Sequence, residues 1–139
     1  LVLKGVMRVD DAKRAADLGV DGLIISNHGA RQLDRAPSAL DVLPAINAAV
    51  GDRMTLMLDS GIRRGSDLLV ALASGAKFVF MGRPTLYGVV AGGEPGAVKA
   101  TQIMRDEINK IMAQVGCPRL RECGPDFLHW DQDGRNARP

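Results

Sequence analysis

A base and an anion clamp stand three residues apart in Ser26-Asn27-His28-Gly29-Ala30-Arg31-Gln32-Leu33-Asp34, just after the apolar stretch Gly22-Leu23-Ile24-Ile25. Histidine, whose unperturbed pKa is about 6.5, can take a proton near neutral pH. Arg31 carries a permanent charge and a planar fork of donors that matches a carboxylate with two parallel bonds. Gly29 between them allows a positive φ or a close pass of backbone to ligand. A base beside a carboxylate anchor points to chemistry on the carbon next to that carboxylate. Taken alone the segment reads equally well as a solvated loop, because isolated charged loop residues are mostly hydrated.

Two further segments weigh against the solvated-loop reading. Asp59-Ser60-Gly61-Ile62-Arg63-Arg64-Gly65 and Gly82-Arg83-Pro84 each join an apolar run to a helical pattern. Each combines glycine with arginine where a helix begins, and exposed N–H groups and the helix dipole favour an anion there. Either alone is compatible with an ordinary turn carrying solvated arginines. In sequence, behind His28 and Arg31, they suggest a phosphate site beside a reaction centre.

These residues need a scaffold, and the apolar pattern supplies four repeats of strand and helix. Leu1 to Gly5 reads as a strand, followed by a helix that starts at Asp10-Asp11, turns Ala12, Ala15 and Ala16 to one face and stops at Gly19. Gly22 to Asn27 is the second strand, and Ser38 opens a helix whose Leu43, Ile46 and Val50 share a face up to Gly51. Met54 to Asp59 leads into a helix with Leu69, Leu72 and Ala73, closed by Gly75. Lys77 to Met81 leads into a short helical segment, a Gly92-Gly93 break and a long helix from near Gly96 to Val115, whose Met104, Ile108, Ile111 and Met112 form a core stripe. Nearly continuous apolar strands alternating with helices predict a parallel sheet covered by helices. The pattern leaves a doubly wound sheet and a barrel both open. The polar residues favour a barrel: Lys4, Ser26-Asn27-His28, Asp59-Ser60-Gly61 and Gly82-Arg83 all fall at strand carboxyl ends, where (β/α)8 barrels carry function.

Composition limits the alternatives. The 139 residues allow at most one ordinary domain, and 46% hydrophobic with 24% charged residues is the balance of a globular chain. No apolar run approaches the roughly 20 residues of a membrane helix. A net charge of +2 without a basic block, and 4% aromatics, point away from nucleic acid. No Gly-x-Gly-x-x-Gly follows a strand, which weakens a dinucleotide site. Cys117 and Cys123 lack partners at zinc spacing, so no metal is expected and free thiols in a reducing compartment are. His129, beside Trp130, reads as a surface histidine. The chain starts at Leu1 without Met or a signal peptide and is expected to be a piece of something longer.

With Lys4-Gly5, the His-Gly-Ala-Arg-Gln block, Asp59 to Gly65 and Gly82-Arg83-Pro84-Thr85-Leu86-Tyr87-Gly88 together, the sequence from Leu1 to about Leu128 closely resembles the FMN-dependent 2-hydroxy-acid dehydrogenases and oxidases. That family includes glycolate oxidase, L-lactate dehydrogenase, flavocytochrome b2 and (S)-mandelate dehydrogenase. Gly116-Cys117-Pro118 and Pro125-Asp126-Phe127-Leu128 are most similar to the end of (S)-mandelate dehydrogenase. The resemblance implies an α/β fold, the C-terminal half (last four β-α units) of a (β/α)8 TIM barrel, with residues 1–116 as half of the FMN-binding barrel and 117–139 as a polar tail. It implies oxidation of an (S)-2-hydroxy acid to the 2-oxo acid. His28 would be the base and Arg31 the clamp on the substrate carboxylate. Lys4 would lie near N1 and O2 of the flavin, and Ser26 would bond it. Asp59, Ser60, Gly61, Ile62 and Arg63, with Gly82 and Arg83, would hold the ribityl chain and phosphate. His28 would take either the α-hydrogen as a proton or the hydroxyl proton as hydride leaves.

Family members are roughly twice as long, so the early strands, with tyrosines near the substrate and the acid that orients the histidine, would lie in a missing N-terminal half. The implied partners are that half, a small 2-hydroxy acid and further copies of the complete protein. The implied location is the cytoplasm, or the inner face of the cytoplasmic membrane. A flavin-dependent isomerase would not require His28 beside Arg31. A non-catalytic half-barrel that binds phosphate or a complementary chain is the alternative from a different class. Four strands without their complement are expected to expose Leu1-Val2-Leu3, Leu23-Ile24-Ile25, Met54-Leu56-Leu58 and Phe78-Val79-Phe80 as an inward face.

Overall fold

The computed structural model describes residues 1–129; residues 130–139 of the expected tail, with Trp130, lie outside the described residues. Four β-α units follow one another: β1 (Val2–Lys4), α1 (Val9–Asp17), β2 (Gly22–Ile25), α2 (Ala39–Val50), β3 (Thr55–Leu58), α3 (Gly65–Ala73), β4 (Phe78–Val79) and α4 (Arg83–Val115). The strands form one parallel sheet in the order β1-β2-β3-β4, so each strand lies beside its neighbour in the chain. Each crossover is a helix, as parallel neighbours require.

Register decides which side chains are buried. Leu3, Leu23 and Leu56 are paired across the sheet, as are Lys4, Ile24, Met57 and Phe78. Paired residues share a face, and successive residues alternate. Leu23, Ile25, Leu56 and Leu58 point to the helices and are at most 1% exposed, packed with Leu43, Ile46 and Val50 of α2. Ile24 and Met57 lie on the opposite face and are only partly buried, and Phe78 there is 55% exposed. Phe78 meets Phe80 edge to face, ring centroids 5.0 Å apart.

The expected inward face holds in part. Ile24, Phe78 and Phe80 lie on the open face as expected, joined by Met57, whereas Leu23, Ile25, Met54, Leu56 and Leu58 are buried in the core. A continuous apolar run serves both faces of a strand, so composition alone cannot say which alternate set turns inward.

The helix boundaries have local causes. Ser38 Oγ accepts from the N–H groups of Leu40 and Asp41 at 3.2 and 3.4 Å, capping α2. Helix α4 breaks at Gly92 and Gly93, as the sequence suggests, and Gly93 adopts φ 59°, ψ −144°, a conformation open to glycine. Its two arms then meet at Gly88 and Gly96, where a Cβ on either residue would overlap the other's backbone. Beyond α4, single 3-10 turns at Leu120–Glu122 and Pro125–Phe127 return toward α3, and the Cys123 thiol donates to the Leu69 carbonyl at 3.5 Å. Both cysteines are free thiols. Among the described residues no helix is long and apolar enough to cross a membrane.

Candidate functional site

The sheet's parallel bonding runs one residue past the strands, with Gly5 N–H to Ile24, Asp59 N–H to Ile25 and Phe80 N–H to Leu58. The residues next in line are therefore held at one edge of the sheet, its carboxyl edge. Ser26 is 1% exposed there, and its hydroxyl is fully engaged inside the protein. It donates to Asp59 Oδ2 at 2.6 Å, lies 3.2 Å from Ser60 Oγ and accepts from His28 N–H at 3.1 Å.

Asn27 folds the next segment. Its Oδ1 accepts from Gly29 and Ala30 N–H at 3.0 and 3.3 Å, while its Nδ2 donates to the Pro37 carbonyl at 3.1 Å. Ser60 Oγ also lies 3.2 Å from Gly29 N, accepting its proton. Under these bonds His28, Gly29 and Ala30 take φ values of 55°, 70° and 59°, three left-handed residues in a row. For non-glycine residues that conformation costs about 1–3 kcal/mol each, and it persists only where the surroundings fix it. The turn is thus held in a strained form that presents His28 and Arg31 outward.

Gly5 (φ 96°) supports this turn from β1. A Cβ on Gly5 would lie 2.7 Å from His28 Nε2, so the imidazole occupies space that only glycine leaves free. A Cβ on Gly29 would lie 3.2 Å from Arg83 Nη2. The His28 turn and the start of α4 are therefore in near contact.

Lys4 Nζ forms an ion pair with Asp59 Oδ2 at 3.0 Å. Burial pushes the Asp59 carboxyl upward, but the Ser26 hydroxyl, the Lys4 ammonium and the Ser60 N–H together outweigh it and hold the group below the usual carboxylate range. Asp59 is an anion that bridges β1, β2 and β3.

A cleft of about 550 Å³ opens above these residues. Lys4, His28, Arg31, Asp59, Ser60, Gly61, Arg63, Gly82 and Arg83 line it; Ile62 touches it from the core, being 4% exposed, and Ser26 lies beneath Asp59 and Ser60 rather than on the wall. Gln32, Leu86 and Tyr87, which the sequence shows only as members of their motifs, and Phe80 of the open face complete the wall, and Asn27 shapes the turn. Phe80 and Tyr87 were detectable as aromatics flanking the Gly82-Arg83 segment. The role of Asn27 depends on a fold-back of its own side chain, an Asx-type turn of the kind Asn favours.

The cleft suits an extended anion. Four cations, Lys4, Arg31, Arg63 and Arg83, face it against the single carboxylate Asp59, which already pairs with Lys4. Among the described residues no carboxylate lies within ion-pair distance of Arg31, Arg63 or Arg83. Gly61 and Gly82 leave open space where side chains would stand. The volume is within the range of small-molecule and cofactor sites, about 300–1,000 Å³. A phosphate-bearing cofactor together with a carboxylate substrate satisfies this donor set.

Comparison with known proteins agrees with that chemistry. The family described as FMN-dependent dehydrogenase matches residues 1–130. An L-lactate oxidase from Nostoc sp. is 47% identical over 129 residues, covering 93% of this chain and 35% of the relative. The mouse 2-hydroxyacid oxidase 1 is 48% identical over 121 residues, covering 87% and 33%. Among solved structures, a soluble mutant of the membrane-associated (S)-mandelate dehydrogenase from Pseudomonas putida superposes with a TM-score of 0.88 at 44% identity, covering 93% of this chain and 36% of that one. The chain thus spans about a third of the length of the relatives it matches, which corrects the expectation that family members are only about twice as long.

Proposed function

Because the chain belongs to the FMN-dependent dehydrogenase family, we propose that it forms the last four β-α units of a (β/α)8 barrel that oxidises an (S)-2-hydroxy acid to the 2-oxo acid. The observation that carries this reading is the strained turn at His28, Gly29 and Ala30, which sets a base and a guanidinium at the mouth of a cationic cleft. Strain of this kind marks functional sites when neighbouring bonds hold it in place. Helices on one face of the sheet and a partly exposed opposite face support an arc of a barrel over a doubly wound sheet.

Each residue then has a role. Arg31 binds the substrate carboxylate with its two-pronged fork, which fixes the α-carbon and its hydroxyl beside His28. His28 accepts one proton from the substrate as the alcohol is oxidised to a carbonyl, either the α-hydrogen or the hydroxyl proton as hydride leaves. FMN, when bound, supplies the two-electron acceptor. Asp59, Ser60, Gly61, Ile62 and Arg63, with Gly82 and Arg83, would hold its ribityl chain and phosphate, the arginines being the groups suited to the phosphate. Lys4 would stand beside the ring, and Ser26 would act on the cofactor through Asp59 and Ser60, to which its hydroxyl is bonded.

The partners of these four units are the remaining units of the barrel, and further copies of the complete protein. The exposure of Phe78 and Phe80 and the unpaired edges of β1 and β4 favour such a complement. They also support the alternative of a non-catalytic half-barrel that binds phosphate or a complementary chain. The protein would act in the cytoplasm or at the inner face of the cytoplasmic membrane. The test is anaerobic titration of the full-length protein with 2-hydroxy acids from lactate to mandelate. Loss of the oxidised flavin absorbance is expected with at least one (S)-acid. A flavin-loaded protein bleached by none of them overturns the proposed oxidation.

A further inference from the structure

The β3–α3 turn carries Asp59, Ser60, Gly61 and Arg63, and its far end is tied down by a residue from another helix. Glu107 of α4 accepts from Gly65 N–H through Oε2 at 2.8 Å and pairs with Arg64 Nη2 through Oε1 at 2.7 Å. Gly65 is buried against α4, and a Cβ there would lie 2.6 Å from the Ile108 backbone nitrogen. The carboxylate therefore bonds the first residue of α3 where α3 packs too tightly against α4 for a side chain at that position. Asp67 accepts from Arg63 and Arg64 N–H at 2.8 and 2.9 Å, so the N–H groups of three successive residues are held by two carboxylates.

The near end of the same turn is strained. Ser60 and Gly61 take φ values of 85° and 84°, and Ser60 Oγ bonds Gly29 in the His28 turn. The turn is thus stretched between a fixed end at Glu107 and a strained end at the reaction centre, with Arg63 between them on the cleft wall. Because the N–H groups of Arg63, Arg64 and Gly65 are taken by Asp67 and Glu107, those three donors are not free for an anion in the cleft, whereas the Arg63 side chain and the start of α4, whose first turn contains no acidic residue, are.

We propose that Glu107 is a positioning residue for the cofactor phosphate: by holding Gly65 and Arg64 it fixes the β3–α3 turn so that Arg63 faces the phosphate position. This rests on the reading of the cleft as an FMN site. The arrangement predicts selectivity rather than a general loss of binding, because only FMN carries the phosphate and riboflavin does not.

The experiment measures the affinity of the full-length apoprotein for FMN and for riboflavin by flavin fluorescence quenching, with R83A as the reference for a direct phosphate contact. E107A is expected to weaken FMN tenfold or more and riboflavin less than threefold. E107Q retains an acceptor for Gly65 and is expected to restore FMN affinity to within threefold of the parent. E107D retains the charge but cannot reach both donors; it is expected to weaken FMN alone by threefold or more, and it carries the test if E107A does not fold. If the Glu107 variants lose both ligands equally, or neither, while R83A discriminates between them, the proposal is overturned and the FMN site stands. If R83A also fails to discriminate, the phosphate reading of the cleft falls and the role of Glu107 falls with it.

Discussion

The imidazole of His28 rests on Gly5, so close that a methyl group on Gly5 would stand 2.7 Å from Nε2. Two β-α units are thereby coupled at their carboxyl ends: the residue after β1 supplies the floor, and the loop after β2 supplies the imidazole. Gly5 also holds φ 96°, which L-residues rarely adopt, so its replacement acts on the backbone and the ring together.

Gly5→Ala should therefore displace the His28 ring while leaving the arginines of the cleft in place. In the full-length protein flavin reduction is expected to slow by about 10²–10⁴-fold, the range for losing a general base, with FMN retained. Stopped-flow reduction under anaerobic conditions measures this. A rate within threefold of the parent would show that the ring has room to move.

His28→Gln tests the base directly and should slow the same step by a similar factor without releasing FMN. Arg31→Lys tests the clamp. A point charge cannot reproduce two parallel bonds to a carboxylate, so KM should rise and kcat/KM should fall. Steady-state kinetics indistinguishable from the parent would return Arg31 to solvent.

The contrast between His28 and Asn27 shows what the sequence could and could not reveal. The four units, the cap at Ser38 and the Gly92-Gly93 break were legible because periodicity, capping residues and glycine act locally. His28, Arg31 and the two arginine turns were legible because their chemistry is unusual at strand ends. Asn27 and Glu107 were not: the local bonds of Asn27 to Gly29 and Ala30 are one of several turns an Asn can form, and the partner of Glu107 lies on a helix 42 residues away. Which residues of each apolar run turn inward was not legible for a related reason, because strands buried on one side and half-buried on the other are apolar throughout.

Asp59 should make the site sensitive to acid. Its folded-state carboxyl is held below the usual value, about 3.9 for Asp, so the unfolded chain binds the proton more tightly. The stabilisation is fully present above that unfolded value and is lost as pH falls through the lower folded one. Urea unfolding of the full-length protein at a series of pH values below about 5 should show stability declining, with a shallower decline in Asp59→Asn. Identical slopes for the two proteins would mean that the Ser26 and Lys4 contacts do not persist in solution.

Residues 1–139 expressed alone should self-associate. Phe78 and Phe80 are 55% and 37% exposed on the open face of the sheet, Val2 is 47% exposed on β1, and β1 and β4 each present an unpaired edge. Each large apolar side chain left in water forgoes up to roughly 1.5–3 kcal/mol of burial, and a few such losses rival the whole stability of a domain, about 5–15 kcal/mol. Light scattering after size exclusion should therefore report oligomers, weak FMN binding and no oxidation of 2-hydroxy acids. Phe78→Lys with Phe80→Lys should reduce the association by making the open face polar. Adding the remaining units of the barrel as a separate chain should restore flavin binding to the parent sequence but not to the double variant, whose lysines would enter the closed interior. A monodisperse, flavin-loaded and active monomer of residues 1–139 would overturn the half-barrel reading.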